Sequence, residues 1–247
     1  MRKFIFAAML SCASLAVNAQ TGEIKDVRTY PDYYFLKITD VASSLKLLPT
    51  PPQPGDLLFQ YDQARFYWGK MQRNTPRGEQ AVADADVSPK GVCIAFAEAF
   101  GIHIMEEVTP ELFTLVKKIT ADAGDLATRE AKNHYMRPRP YMLFEESTCK
   151  PEDEEVLRYN GSYPSGHTAI GWATALVLAE INTDNQDAIL QRGYDMGTSR
   201  VICGYHWQSD VDNGRIVAAA LVARLHADDG FSEQLAKAKA EFAGLKK

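Results

Sequence analysis

Prolines dictate where this chain can be helical. Ser88-Pro89 and Thr109-Pro110-Glu111 have the form of helix starts, a capping hydroxyl followed by a ring whose missing N–H costs nothing in the first turn. Pro138 and Pro140 act in the opposite sense and forbid continuation of TPELFTLVKKITADAGDLATREAKNHYMR, residues 109–137. Between these marks apolar residues recur three and four apart, and strand-like alternation is nearly absent. The pattern predicts helices over 56–74, opened by Asp56, then 88–102, 109–137, onward from Ser165, 185–203, 207–225 and 232–245. The expected fold is an all-α single domain. Residues 20–55, with the proline-rich LLPTPPQPGD, read as an extended segment lying over the helical body, and CKPEDEEVLRYNGS (149–162) reads as a solvated loop.

The first nineteen residues stand apart. Arg2 and Lys3 precede an apolar stretch from Phe4 to Val17 and a small-residue pattern, Val17-Asn18-Ala19, which together read as a secretory signal peptide. Lipid attachment at Cys12 fits less well, since Met9-Leu10-Ser11 is a poor lead-in. Cleavage after Ala19 leaves 228 residues and moves the formal charge from −5 to −7. No later segment offers the ~18 unbroken apolar residues that cross a bilayer. The expectation is a soluble protein, periplasmic or secreted, with no membrane partner. Its acidity argues against nucleic acid as a partner, so any anion site must be a local cluster of bases. Three cysteines remain, Cys93, Cys149 and Cys203, which allow one disulfide and a thiol or three thiols. Spacing selects no pair and matches no zinc pattern.

Three stretches carry the chemistry. In KNHYMRPRP, Lys132 and Arg139 are seven residues apart, two helical turns, with Arg139 just past the point where Pro138 ends the helix. In NGSYPSGH, Ser165, Gly166 and His167 open an apolar helix, so bare backbone N–H groups, a hydroxyl and an imidazole face one spot suited to an anion. In SRVICGYHWQSD, a helix starting near His206 would place Asp210 one turn on, able to accept the imidazole N–H. Each stretch alone has an ordinary explanation: a solvated basic face, a capped turn, a surface hydrogen bond. Together they suit phosphoryl transfer. Lys132, Arg139 and Arg200 supply fixed charge, and Ser165 with the N–H groups of Gly166 and His167 adds donors for a five-coordinate phosphorus. His206 can attack, held in the right tautomer by Asp210, while His167 protonates the departing alkoxide. His103, His134 and His226 lack such company and read as structural or surface residues.

The pattern K-x6-R-P, P-S-G-H, S-R-x5-H-x3-D resembles the signature of the type 2 phosphatidic acid phosphatase superfamily, shared with vanadium-dependent haloperoxidases. It is met at Lys132, Arg139, Pro140, Pro164, Ser165, Gly166, His167, Ser199, Arg200, His206 and Asp210. The leader, the length, and the phrases AGDLATREAKNHYMRPRP and GSYPSGHT resemble the bacterial class A non-specific acid phosphatases from about Leu47 to Leu225. The resemblance implies an all-α helical bundle, a phosphohistidine on His206, proton donation by His167, no metal or other cofactor, and broad use of phosphomonoesters. It also implies frequent homo-oligomers. Vanadate, a mimic of the five-coordinate state, is expected to inhibit. The weaker readings are a vanadate-dependent haloperoxidase, expected to be much longer, and a non-enzymatic phosphate-binding protein, which would have little use for two histidines. Specificity is expected from loops at the mouth, with GEQAVADADVSP (78–89) as a candidate.

Overall fold

The longest apolar run becomes helix α9 (Gly166–Ile181), in which residues on nearly every side are buried, from Thr168 and Ala169 to Leu178 and Ala179. A helix without a polar face has to be central, and α9 packs most extensively against α10 (Gln186–Ile202) and α11 (Gln208–Leu225). The α9–α10 crossing is close because glycines make it so. A Cβ at Gly193 would sit 2.4 Å from the Ala175 Cβ and 2.9 Å from the Gly171 carbonyl oxygen. Around this centre, α2 (Leu57–Gln72) and α3 (Pro76–Ala83) cover α10. α4 (Pro89–Phe100) lies on α5 (Pro110–Ala121) and α10, and α12 (Asp229–Leu245) lies on α5. This computed structural model describes residues 33–246, so the leader at 1–19, Cys12 within it, and residues 20–32 lie outside the described residues. The described residues contain helices and turns and no strand.

Capping chemistry acts where the prolines place it. Proline opens α3, α4, α5 and α7 (Pro140–Phe144), and the Ser88 hydroxyl accepts from the Gly91 N–H at 3.1 Å to cap α4. Gly101, at φ 89°, ends α4 in the left-handed region that glycine adopts without cost. Ahead of α2, the segment from Tyr33 contains one tight turn (Ile38–Asp40) and the single helical turn α1 (Ser44–Leu47).

Three expectations need correction. Residues 109–137 are not one helix. After α5 the backbone widens into a π-helical turn, Asp122–Leu126, and α6 (Arg129–Tyr135) starts afresh. The Asp122 carboxylate is buried and accepts the backbone N–H groups of Phe35 and Leu36, at 3.2 and 3.4 Å, tying the N-terminal segment across this turn. Helical spacing survives on both sides of the widening, so periodicity does not reveal it. Second, residues 78–83 of the expected mouth loop belong to α3, because Pro76 provides an unforeseen start. Third, the acidic run after Cys149 folds in part into a short helix, α8 (Glu154–Leu157).

Cys149 and Cys203 form a disulfide with a Cα–Cα distance of 4.7 Å, and Cys93 is a buried thiol that burial pushes up to about 12. Cys203 caps the C-terminus of α10, three residues from both Arg200 and His206. The bridge therefore pins the short link between those side chains. Replacing both cysteines by serine should lower stability by about 4 kcal/mol, the loop-closure entropy of a 54-residue separation, read as a lower urea midpoint. An unchanged midpoint would show that the link is held equally well without the bridge.

Candidate functional site

A cavity of about 300 Å³ opens where α6, the start of α9 and the turn before α11 meet. Lys132, Arg139, Gly166, His167 and His206 all line it. Ser165, Arg200 and Asp210, the remaining predicted site residues, lie behind that wall and are fully buried. A larger groove of about 550 Å³ between α3, α4 and α10 contains none of the eight. Size does not pick out the site here; converging chemistry does.

Lys132 and Arg139 converge, though not through helical periodicity. α6 ends at Met136, whose φ of 40° turns the chain, and Arg139 sits in extended backbone as the cap of α7. Lys132 Nζ donates to the Gly161 carbonyl at 2.6 Å. Arg139 Nε donates to the carbonyls of Leu157 (3.0 Å) and Asn160 (3.2 Å), and its Nη1 to that of Tyr205 (3.2 Å). Arg200 Nη1 donates to the Asp84 carbonyl at 3.1 Å, and its buried Nε has no partner. Ser165 caps α9: its Oγ accepts from the Thr168 N–H and hydroxyl, at 3.3 and 2.9 Å.

The partners of each imidazole assign its tautomer. Arg139 Nη1 lies 3.0 Å from His206 Nε2, and a guanidinium can only donate, so Nε2 is the lone-pair nitrogen. The ring proton is on Nδ1, which faces the Asp210 carboxylate at 3.4 Å and the Ser162 hydroxyl at 3.3 Å. α11 begins at Gln208, one residue after the expected bound at Trp207, so Asp210 lies in its first turn and also accepts the Trp207 N–H at 2.8 Å. His167 donates from Nε2 to the Ala85 carbonyl at 3.3 Å, which leaves its Nδ1 unprotonated in the neutral ring. The two rings are 6.4 Å apart, centroid to centroid.

Lys132, Arg139 and Arg200 are 8, 2 and 1% exposed, and among the described residues none forms an ion pair. Burial, and then their mutual repulsion, push Lys132 well below its ordinary range; burial brings Arg139 and Arg200 down to about 10. Burial and the neighbouring cations also push both His167 and His206 well below 6.5. A neighbouring anion would oppose every one of these displacements. Buried cations beside an unprotonated ring nitrogen are an arrangement that could receive an anion.

Arg137 belongs to the site and went unnoticed in the sequence, where it is one basic residue among several in KNHYMRPRP. Its guanidinium bridges Asp210 Oδ1 (2.6 Å) and Asp62 Oδ2 (2.8 Å), both carboxylates fully buried. Ser162 donates to the other oxygen of Asp210, and Asp62 also accepts the N–H and hydroxyl of Ser209 at 2.8 and 2.6 Å. Asp62 lies on α2, so no local spacing could have linked it to Arg137.

Residues 115–230 match the PAP2 superfamily. The chain is 58% identical to a non-specific acid phosphatase of Providencia stuartii over 95% of its length and 94% of that protein's. It is 46% identical to a non-specific acid phosphatase of Salmonella typhimurium, over 78% of each. An acid phosphatase of Zymomonas mobilis is 36% identical over 94% of this chain and 85% of its own.

Replacing Arg137 by Met leaves two buried carboxylates facing each other uncompensated. The variant should lose about 3–5 kcal/mol of stability, against a negligible change for Arg158→Met at an exposed ion pair. Urea unfolding of the two variants side by side checks this.

Proposed function

We propose that this chain, which belongs to the PAP2 superfamily and is an acid phosphatase, hydrolyses a broad range of phosphomonoesters through a phosphohistidine on His206. The observation that carries the reading is the trio of buried cations bonded to carbonyl oxygens and, among the described residues, to no carboxylate. The bound phosphate dianion supplies the missing charge. His206 Nε2 attacks phosphorus as the phosphorus–oxygen bond to the alcohol breaks, and Asp210 stabilises the positive charge that develops on the ring. The departing oxygen takes its proton from His167 Nδ1, while Nε2–H stays on Ala85. Neutral His167 then draws a proton from water, which displaces phosphate from His206 and restores the starting state.

Export is part of the same proposal. It is supported by the leader pattern at 1–19 and by the Cys149–Cys203 bridge, which suits an oxidising compartment. No helix among the described residues is long and apolar enough to cross a membrane.

His206→Ala should abolish turnover, and rapid quenching of the unmodified enzyme should trap an acid-labile, base-stable phosphoenzyme. A base-labile acyl phosphate would move the nucleophile to a carboxylate. His167 must start the cycle charged, yet burial lowers its pKa, so the acid is present only below neutrality until substrate arrives. The kcat/KM profile should therefore peak on the acid side and fall as pH rises. His167→Ala should cost about 10²–10⁴-fold on alkyl phosphates and much less on p-nitrophenyl phosphate, whose phenolate leaves unaided. Equal losses would mean that His167 only positions phosphate.

A further inference from the structure

The turn after α3 touches two site residues through its backbone, yet none of the three motif stretches contains it. Arg200 Nη1 donates to the carbonyl of Asp84 at 3.1 Å, and His167 Nε2 donates to that of Ala85 at 3.3 Å. Two consecutive carbonyls thus hold one phosphate-gripping cation and the histidine assigned as the acid. A carbonyl fixes direction only if its own peptide is fixed: the N–H groups of Ala85 and Asp86 bond the carbonyls of Val82 and Ala83, at 3.1 and 3.2 Å, and the Asp84 side chain ties the turn so formed to α10. It is 2% exposed. Both of its oxygens pair with the Arg192 guanidinium, Oδ2 at 3.1 Å. Oδ2 also accepts the Ser199 hydroxyl at 2.5 Å. Behind this pair, Arg192 Nε donates to the Ala95 carbonyl at 2.8 Å on α4, and Arg77 Nη1 donates to Ser199 Oγ at 2.8 Å from α3. The carboxylate is thus held directly by two side chains of α10, which α3 and α4 brace in turn. A buried, bidentate and hydroxyl-supported pair is a rigid anchor.

We propose that Asp84 is a positioning residue, its carboxylate clamping the Asp84–Ala85 turn so that the two carbonyls orient Arg200 and hold His167 in the Nε2–H tautomer. The consequence is chemical as well as geometric. An imidazole with its proton on Nε2 presents Nδ1 to the cavity, and only that nitrogen can exchange a proton with the leaving oxygen. If the turn loosens, the ring can turn or change tautomer, and the acid is lost while the nucleophile, anchored by Asp210, remains. Ser199, a member of the recognised pattern without an evident contact to the cavity, gains a role as a support of the same carboxylate.

This inference rests on the assignment of His167 as acid, and the test separates the two. Asp84→Asn keeps the volume and removes the charge. It should lose about tenfold more kcat/KM on an alkyl phosphate than on p-nitrophenyl phosphate, a share of the full general-acid contribution. It should also raise the inhibition constant for inorganic phosphate through Arg200. Added to His167→Ala, it should produce no further difference between the two substrates. Imidazole ¹⁵N NMR of the unmodified enzyme at neutral pH should show His167 protonated on Nε2, and in Asp84→Asn a mixture. Ser199→Ala, which removes one hydroxyl from the carboxylate, is read in the same way if Asp84→Asn is not recovered folded. The proposal is overturned if Asp84→Asn loses equally on both substrates while His167→Ala does not, or if His167 carries its proton on Nδ1. If His167→Ala itself shows no split between substrates, the acid assignment falls. The tautomer and the phosphate inhibition constant then still decide whether Asp84 positions.

Discussion

Three cations held out of water, none of them ion-paired among the described residues, set the terms for this molecule. Lys132, Arg139 and Arg200 take their hydrogen bonds from the carbonyls of Gly161, Leu157, Asn160, Tyr205 and Asp84. Carbonyl dipoles orient a cation without cancelling its charge, so the field stays available to an incoming anion. A carboxylate in the same position would stabilise the fold and occupy the site.

Asp125 lines the cavity paired with Arg129, and the other carboxylates near the site are set one layer back. Asp210 stands behind His206, Asp62 behind Arg137, and Asp84 behind the turn that meets His167 and Arg200. Each has its own arginine or serine, so none competes for the cavity cations: Arg137 serves Asp62 and Asp210, while Arg192 serves Asp84. The inner layer thereby stays cationic while the charge of the whole region is moderated. Burial first, and then the neighbouring cations, hold both histidines well below their ordinary range.

The fold serves this arrangement through precise ends more than through long elements. α9 starts at Gly166, α10 stops at Ile202, and α11 starts at Gln208, so the reactive side chains lie at or beside helix termini where backbone groups are still free. The Cys149–Cys203 bridge and the Ser165 N–H bond to the Asp210 carbonyl, 2.9 Å, hold two of those ends in register. Glycines at the α9–α10 crossing let the backbones approach closely enough for Arg200 to reach inward from α10.

Much of this was readable in order of residues. Proline starts, apolar spacing and the PSGH opening are local signals, governed by sterics and hydrogen bonding within a turn or two, and they located α2, α4, α9, α10, α11 and α12 closely. Residue types suited to phosphate stood out in combination, since Lys132, Arg139, His167, Arg200 and His206 fall in three short stretches whose chemistry agrees. What depended on tertiary structure was anything joining residues distant in sequence. The π-helical turn at Asp122–Leu126 is bound to Phe35 and Leu36, Cys149 chose Cys203 over Cys93, and Arg137 found Asp62 on another helix. Lys132 and Arg139 meet because the chain turns at Met136, not because seven residues make two helical turns. The sequence by itself determined which groups could do the chemistry, because that is a property of each side chain. Only packing decided which nitrogen of each histidine is free, because a tautomer is set by the neighbour that donates or accepts, and those neighbours, Arg139 and Ala85, come from elsewhere in the chain.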